Sequence, residues 1–290
     1  MTGKATAIAH GAATIVNAIA LGKGAAFGVD LWTKAEVKLT TEPKVIEAKI
    51  LSDPNESTLL IEKTVSRILQ TLNLDKCFGA KIKTQSNIPI ARGLKSSSAA
   101  ANATALATIS ALQKTIDDLE IVKLGVEAAF DANVTVTGAF DDACASYFGG
   151  VVITDNSQRE IIKQLPLPDR DLRVLFHVPH QKAYTIDSDV QRLQTMKPLV
   201  EVAFNQALEG NVWAALTLNG LVYSSATSQN PTIAIDALAA GAVAAGLCGK
   251  GPAVTAVVPK DKVDAVKAAF EKYEGEILQA RLNSEKAKVL

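Results

Sequence analysis

The chain has 290 residues, enough for one large or two medium domains, with 48% hydrophobic residues, 21% charged residues and a formal net charge of zero. This is the balance of an ordinary soluble globular protein, and it offers no electrostatic case for a nucleic-acid partner. The longest apolar run of the C-terminal third, Ile233 to Leu247, is broken by Asp236 and rich in Ala and Gly, so no membrane span is expected.

Residues 1–10 lack the apolar core of a signal peptide. The β-type runs Ala12 to Leu21 and Ala35 to Ile50, punctuated by Gly22, Gly24 and Gly28, predict a strand-rich opening. Leu59, Leu60, Val65, Ile68, Leu69 and Leu72 recur at helical spacing, and Phe78 to Thr84 alternates as a strand. Ser96 to Lys114 contains no Gly or Pro and is apolar on most faces, which predicts a long buried helix; Leu119 to Ala132 predicts another. Val151 to Thr154 reads as a strand. The proline- and charge-rich Leu165 to Arg173 is the expected linker, dividing the chain into domains 1–164 and 165–290. Beyond it the pattern predicts a strand over 172–178 and helices over 187–208 and 212–223. A glycine-rich turn, Gly246 to Ala253, then leads into a strand over 254–258, followed by an amphipathic helix over 260–273. Cys77, Cys144 and Cys248 are far apart with no CxxC pair, which implies a reducing, cytoplasmic setting.

Pro89-Ile90-Ala91-Arg92-Gly93-Leu94-Lys95-Ser96-Ser97-Ser98-Ala99 has two readings. It is a helix start capped by serine, or it is an anion site in which a glycine turn presents backbone N–H groups and hydroxyls at the positive end of a helix. GxxxxGK[ST] occurs nowhere, which excludes an ordinary P-loop kinase. Gly22 to Gly28 is a loose dinucleotide-fingerprint lookalike without the helix and acidic residue that such a site requires. Asp141 and Asp142 are either a cap for a helix beginning at Ala143 or acidic groups of a site. His177 and His180 have metal-like spacing but no neighbouring ligand to complete a set.

Pro89 to Ser97 resembles the second signature of the GHMP kinases, and Gly249-Lys250-Gly251-Pro252-Ala253 resembles their third. Within that superfamily GAATIVNAIALGKGAAFG (11–28), GLKSSSAAANA (93–103) and TGAFDDACASYFGG (137–150) are most similar to archaeal-type shikimate kinase. The resemblance implies an α+β fold of two domains, the first like ribosomal S5 domain 2 and the second ferredoxin-like. It implies ATP and Mg²⁺ as cofactors and phosphorylation of the 3-hydroxyl of shikimate in aromatic amino acid biosynthesis, by a monomer or homodimer. The runners-up are a kinase of a homoserine- or mevalonate-type alcohol and a catalytically silent nucleotide-binding protein.

The same resemblance implies site residues. Asp142 stands at the catalytic position, with Asp141 as second choice and Lys95 beside them. Arg92, Gly93, Leu94, Lys95, Ser96, Ser97, Ser98 and Ala99 would hold the ATP phosphates. His10, Gly11, Thr137, Gly138, Asp142, Gly249 and Gly251 would surround the substrate. Ser97 or Ser98 would meet Mg²⁺ together with Glu127, one turn from Asp131. Two departures stand out. Lys95 replaces a glycine of the usual GLGSS, and Ala9 to Ala12 lacks the lysine of mevalonate-type members, leaving Lys23 or Lys95 to supply a cation. The substrate carboxylate calls for Arg92, Arg192 or Lys197.

Overall fold

The spine of the molecule is β2 (Lys23–Thr40), against which β1 (Lys4–Val16) runs antiparallel with irregularities at His10/Gly11 and Thr14/Val16. The structure, a computed structural model, describes residues 3–167, 171–180 and 190–290. From Leu31 to Thr40 the burial of β2 alternates, as in a sheet with one covered face; from Gly24 to Val29 it is continuous, because both faces are covered there.

On the far side of β2 its second half pairs with β4 (Gly79–Ser86) and its first half with β5 (Val151–Asp155). β3 (Ile46–Ile50) lies parallel to β4, and β6 (Glu160–Leu165) forms a hairpin with β5. The C-terminal β11 (Lys288–Val289) closes the seven-stranded sheet at β1. Four helices pack with this sheet: α1 (Leu59–Thr71), α2 (Ser96–Ala111), α3 (Asp118–Asp131) and α4 (Phe140–Phe148). As its composition predicts, α2 is wrapped, touching β1, β2 and the other three helices.

The second sheet has the order β10 (Glu276–Arg281), β7 (Leu172–Val178), β9 (Val254–Pro259), β8 (Ala244–Leu247), all antiparallel. The helix expected over 187–208 is interrupted. Its residues 187–189 lie outside the described ones, and the rest is α5 (Val190–Gln194) and α6 (Lys197–Glu209), with Pro198 in the first turn of α6, where its missing N–H costs nothing. The apolar run Ile233 to Leu247 divides into α8 (Thr232–Ala239) and β8. A 3-10 turn precedes α9 (Val263–Phe270). β6, β8, β10 and β11 are strands that the apolar pattern does not reveal, β6 because its apolar residues do not alternate with its polar ones and most of its side chains are exposed.

The expected boundary at 164/165 falls one residue before the end of β6. Chain 165–290 builds the second sheet and then returns β11 to the first. A single hydrophobic cluster runs from Ile15 and Phe27 to Phe176 and Val257, spanning both sheets. At its centre α7 (Val212–Ala226) packs on α6, β1 and β8. It also fixes the turn between β1 and β2: Asn17 N donates to Asn219 Oδ1 (3.2 Å), and Ala20 N donates to the Tyr223 hydroxyl (3.3 Å).

The α7–β8 contact is backbone on backbone. A Cβ on Gly220 would collide with the main chain of Gly246 and Leu247, atoms that cannot swing aside. Gly220→Ala should therefore cost about 3 kcal/mol or more, as overpacking of a close-packed contact does. A urea midpoint unchanged from that of the parent protein would refute this packing.

Candidate active site

The turn before α2 is not a serine cap. Ser96 is already the first helical residue, and the residue ahead of it, Lys95, is left-handed (φ 63°) with no side-chain cap. The three serine hydroxyls are thus left for the cavity beside them. Gly93 is left-handed too (φ 86°) and lies so near the other glycine turn that a Cβ would stand 2.8 Å from Cys248 O. Ala253 N donates to Arg92 O (3.3 Å) and Cys248 Sγ to Gly93 O (3.1 Å), docking the two turns together. With Thr137–Ala139 and the first turn of α4, they wall a cavity of about 370 Å³.

Neither Asp141 nor Asp142 caps α4, because the helix starts at Phe140 after left-handed Ala139 (φ 47°). Both carboxylates lie in its first turn, where the helix dipole favours negative charge. Asp142 Oδ2 is 3.1 Å from Lys95 Nζ, an ion pair almost wholly out of solvent, while Asp142 Oδ1 is buried with no partner. Asp141 Oδ1 accepts from Asn156 Nδ2 (2.8 Å), and Asn156 Oδ1 accepts from the Thr154 hydroxyl (2.7 Å), which fixes the direction of the amide. A Cβ on Gly24 would strike Asp141, so this glycine of β2 makes room for the carboxylate.

One ammonium serves two buried carboxylates. Burial works against the charge of Lys95, but Asp142, with Cys248 and Asp141 behind it, more than offsets this and raises its pKa. Burial raises Asp142 as well, against the pull of Lys95. Asp141, pushed up by burial and by the charge of Asp142 despite the Asn156 bond, reaches about 7. Asp142 therefore keeps the lysine, and Asp141 is the residue that takes up a proton near neutrality.

Of the residues expected to meet phosphate, Gly93, Lys95, Ser96, Ser97 and Ser98 line the cavity. The side chains of Leu94 and Ala99 are buried in the core, and the Arg92 guanidinium donates to the Pro179 carbonyl. Thr137, Gly138, Asp141, Asp142, Gly249 and Gly251 also line it. His10 and Gly11 do not. The His10 imidazole lies toward Glu285, Lys288 and Asp30, its carbonyl accepts from Ser146 (2.6 Å), and a Cβ on Gly11 would press on Val29 and Leu31. The irregularity of β1 at His10/Gly11 is the local reason that the strand's alternation does not carry the imidazole to the cavity.

Glu127 is also misplaced as a metal ligand, being paired with Arg159, whose guanidinium lies 5.9 Å from the Phe130 ring centroid. Asp131, one turn on, is held by Arg67 (2.6 Å). Among the described residues no group of three or more His, Cys, Asp or Glu is placed to hold a metal. His177 is buried near the rings of Phe270 and Tyr273. Lys23 lies on the surface 4.0 Å from Asp155, so Lys95 is the cation at the acid pair. Arg192 is exposed on α5 and Lys197 is exposed at the start of α6; neither lines the cavity, whose basic residues are Lys95 and Lys250. Asn156, in the turn after β5, gave no sequence signal because Asp-Asn-Ser reads as a turn. Thr14, also on the cavity wall, is hidden in an Ala-rich strand.

The fold and glycine turns define a class, the GHMP kinases. The family model for the GHMP kinase N-terminal domain matches residues 60–150. Among solved structures, homoserine kinase from Cytophaga hutchinsonii superposes with a TM-score of 0.74 at 18% identity, over 100% of this chain and 98% of that one. Mevalonate kinase from Methanococcus jannaschii gives 0.74 at 17%, over 96% and 98%. MDDEF in complex with MVAPP, AMPPCP and magnesium gives 0.77 at 17%, over 100% and 99%. Closer in sequence are proteins named shikimate kinase. That of Methanosarcina mazei is 46% identical over 98% of this chain and 96% of its own length, and that of Methanothermobacter thermautotrophicus 39% over 100% and 99%. The chain belongs to this archaeal shikimate kinase family of the GHMP superfamily.

A raised carboxyl pKa binds more protons in the folded than in the unfolded chain, so its contribution to stability is present at low pH and is lost as pH rises toward the folded value. For Asp141 that loss runs between the usual carboxylate range and about 7. Asp141→Asn should leave the melting temperature near that of the parent at pH 4 and raise it by several degrees at pH 8. Melting curves across this range would test it, and equal shifts at both pH values would contradict the assignment.

Proposed function

We propose that the protein transfers the γ-phosphoryl group of ATP to the 3-hydroxyl of shikimate, giving shikimate 3-phosphate and ADP. Full-length likeness to the shikimate kinases supports the substrate, and the observation that carries the chemistry is the buried Lys95–Asp142 pair beside the serine turn. Phosphoryl transfer depends mostly on positioning and charge neutralisation. The amides and hydroxyls at the start of α2 hold the phosphates at the positive end of the helix. Asp142 Oδ1, buried and unpartnered, receives the hydrogen bond and then the proton of the 3-hydroxyl. The bond from the substrate oxygen to the γ-phosphorus forms as the bond to the β,γ-bridging oxygen breaks, and ADP departs. Lys95, anchored by Asp142, offsets charge on the transferring group.

Ser97 and Ser98 line the cavity, and their hydroxyls suit Mg²⁺, which favours oxygen donors and keeps several waters. The ion would be held by one of these hydroxyls and by nucleotide oxygens, and it supplies neutralisation of phosphate charge. The carboxylate residues that line the cavity are Glu56, Asp141 and Asp142, while Glu127 is paired with Arg159.

A catalytically silent protein is disfavoured because Lys95 restores, from the phosphate turn, the cation absent from the first strand. Likeness to homoserine and mevalonate kinases at 17–18% identity speaks for the fold only.

Coupled ADP release with Mg-ATP and a panel of shikimate, homoserine and mevalonate should show turnover with shikimate. Asp142→Asn should lower kcat by about 10³-fold, within the range of general-base removal, with ATP affinity unchanged in calorimetric titration. Full activity in that variant would remove Asp142 from the mechanism.

A further inference from the structure

Thr14 carries an unpaired hydroxyl in the cavity wall. It sits on β1 at 2% exposure, lines the cavity, and its Oγ1 has no hydrogen-bond partner. A buried hydroxyl left unsatisfied destabilises the fold, so a group of this kind in a cavity wall is placed for what enters the cavity. Its neighbours say what that is. A Cβ built on Gly249 would be 2.6 Å from Lys95 Nζ and 3.6 Å from Thr14 Oγ1, so hydroxyl and ammonium lie on the same side of the Gly249 turn. Lys95 itself spans from the phosphate turn to Asp142. A group held between that turn and that carboxylate passes the ammonium, and in the reaction proposed above that group is the terminal phosphoryl of the nucleotide.

We propose that the Thr14 hydroxyl donates a hydrogen bond to an oxygen of the γ-phosphoryl group, alongside Lys95, and so is a catalytic residue contributed by the first strand. This rests on the kinase reading and adds a second donor to it. The hydroxyl neither gives nor takes the proton in transfer: that proton goes from the acceptor hydroxyl to Asp142, and Thr14 keeps its own. The Ala-rich surroundings of β1 explain why a short side chain is used. Ala12, Ala13 and Ile15 are fully buried around it, and a longer donor would have to displace packed core.

The test separates the γ-phosphoryl group from the rest of the nucleotide. Thr14→Val keeps the side-chain outline and removes an unpaired polar atom, so the folded state should be no less stable, which a melting curve verifies. Calorimetric titration with Mg-AMPPCP and with Mg-ADP should show AMPPCP weakened by about tenfold relative to ADP, the size expected for one hydrogen bond to a charged group. Thr14→Ser should restore the ratio. An AMPPCP-to-ADP ratio equal to that of the parent protein would overturn the assignment of Thr14. The substrate reading fails separately: it is rejected if the parent protein turns over none of the shikimate supplied, and the nucleotide ratio still decides the role of Thr14 in that event.

Discussion

A buried ammonium and a buried carboxylate each carry a desolvation cost that neither could meet alone, and the Lys95–Asp142 contact is the condition on which the rest of this site depends. The two residues come from separate elements, the turn entering α2 and the first turn of α4. Their pairing therefore fixes the distance between the serine turn and the first turn of α4. It also leaves the site one cation short. With Asp141 beside them the cluster holds two carboxylates to one lysine, and the Asn156 amide, oriented by Thr154, is what the fold supplies to the second carboxylate in place of a positive charge.

Small residues make this arrangement possible. Gly93 lets the serine turn lie on the turn 248–253, Gly24 leaves room for Asp141, and Gly220 and Gly246 let α7 lie directly against β8. These close approaches knit the second sheet to the first, so that the cavity is lined both from the α2 turn and from the turn before β9. A shared hydrophobic cluster crosses the two sheets, and the returning C-terminal strand adds a further tie. Positioning of the kind phosphoryl transfer needs is thereby built from packed backbone, with few long side chains to hold in place.

Much of this was legible in the sequence. The serine turn, the acidic pair and the closing glycine turn are local signals, each set by a few consecutive residues with special backbone needs, and they line one cavity in the structure. What stayed hidden depends on partners distant in the chain. Glu127 has the spacing of a ligand, but Arg159, from the β5–β6 hairpin, turns it elsewhere. His10 lies in a suggestive glycine-rich stretch, yet an irregularity in β1 places it beside the C-terminal residues. Asn156 and Thr14 belong to a turn and a strand whose composition says nothing of chemistry. Strands β6 and β10 pair with β5 and β7 but show no apolar alternation of their own.

The central question for this site is whether Lys95 and Asp142 act as one unit. A double-mutant cycle on the rate of ADP release with Mg-ATP and shikimate, comparing Lys95→Met, Asp142→Asn and the combined variant, measures this directly. If the pair is the functional element, the combined variant is no slower than the slower single variant, because the second substitution removes a group already idle. Losses that multiply across the two positions would show independent residues and contradict the account.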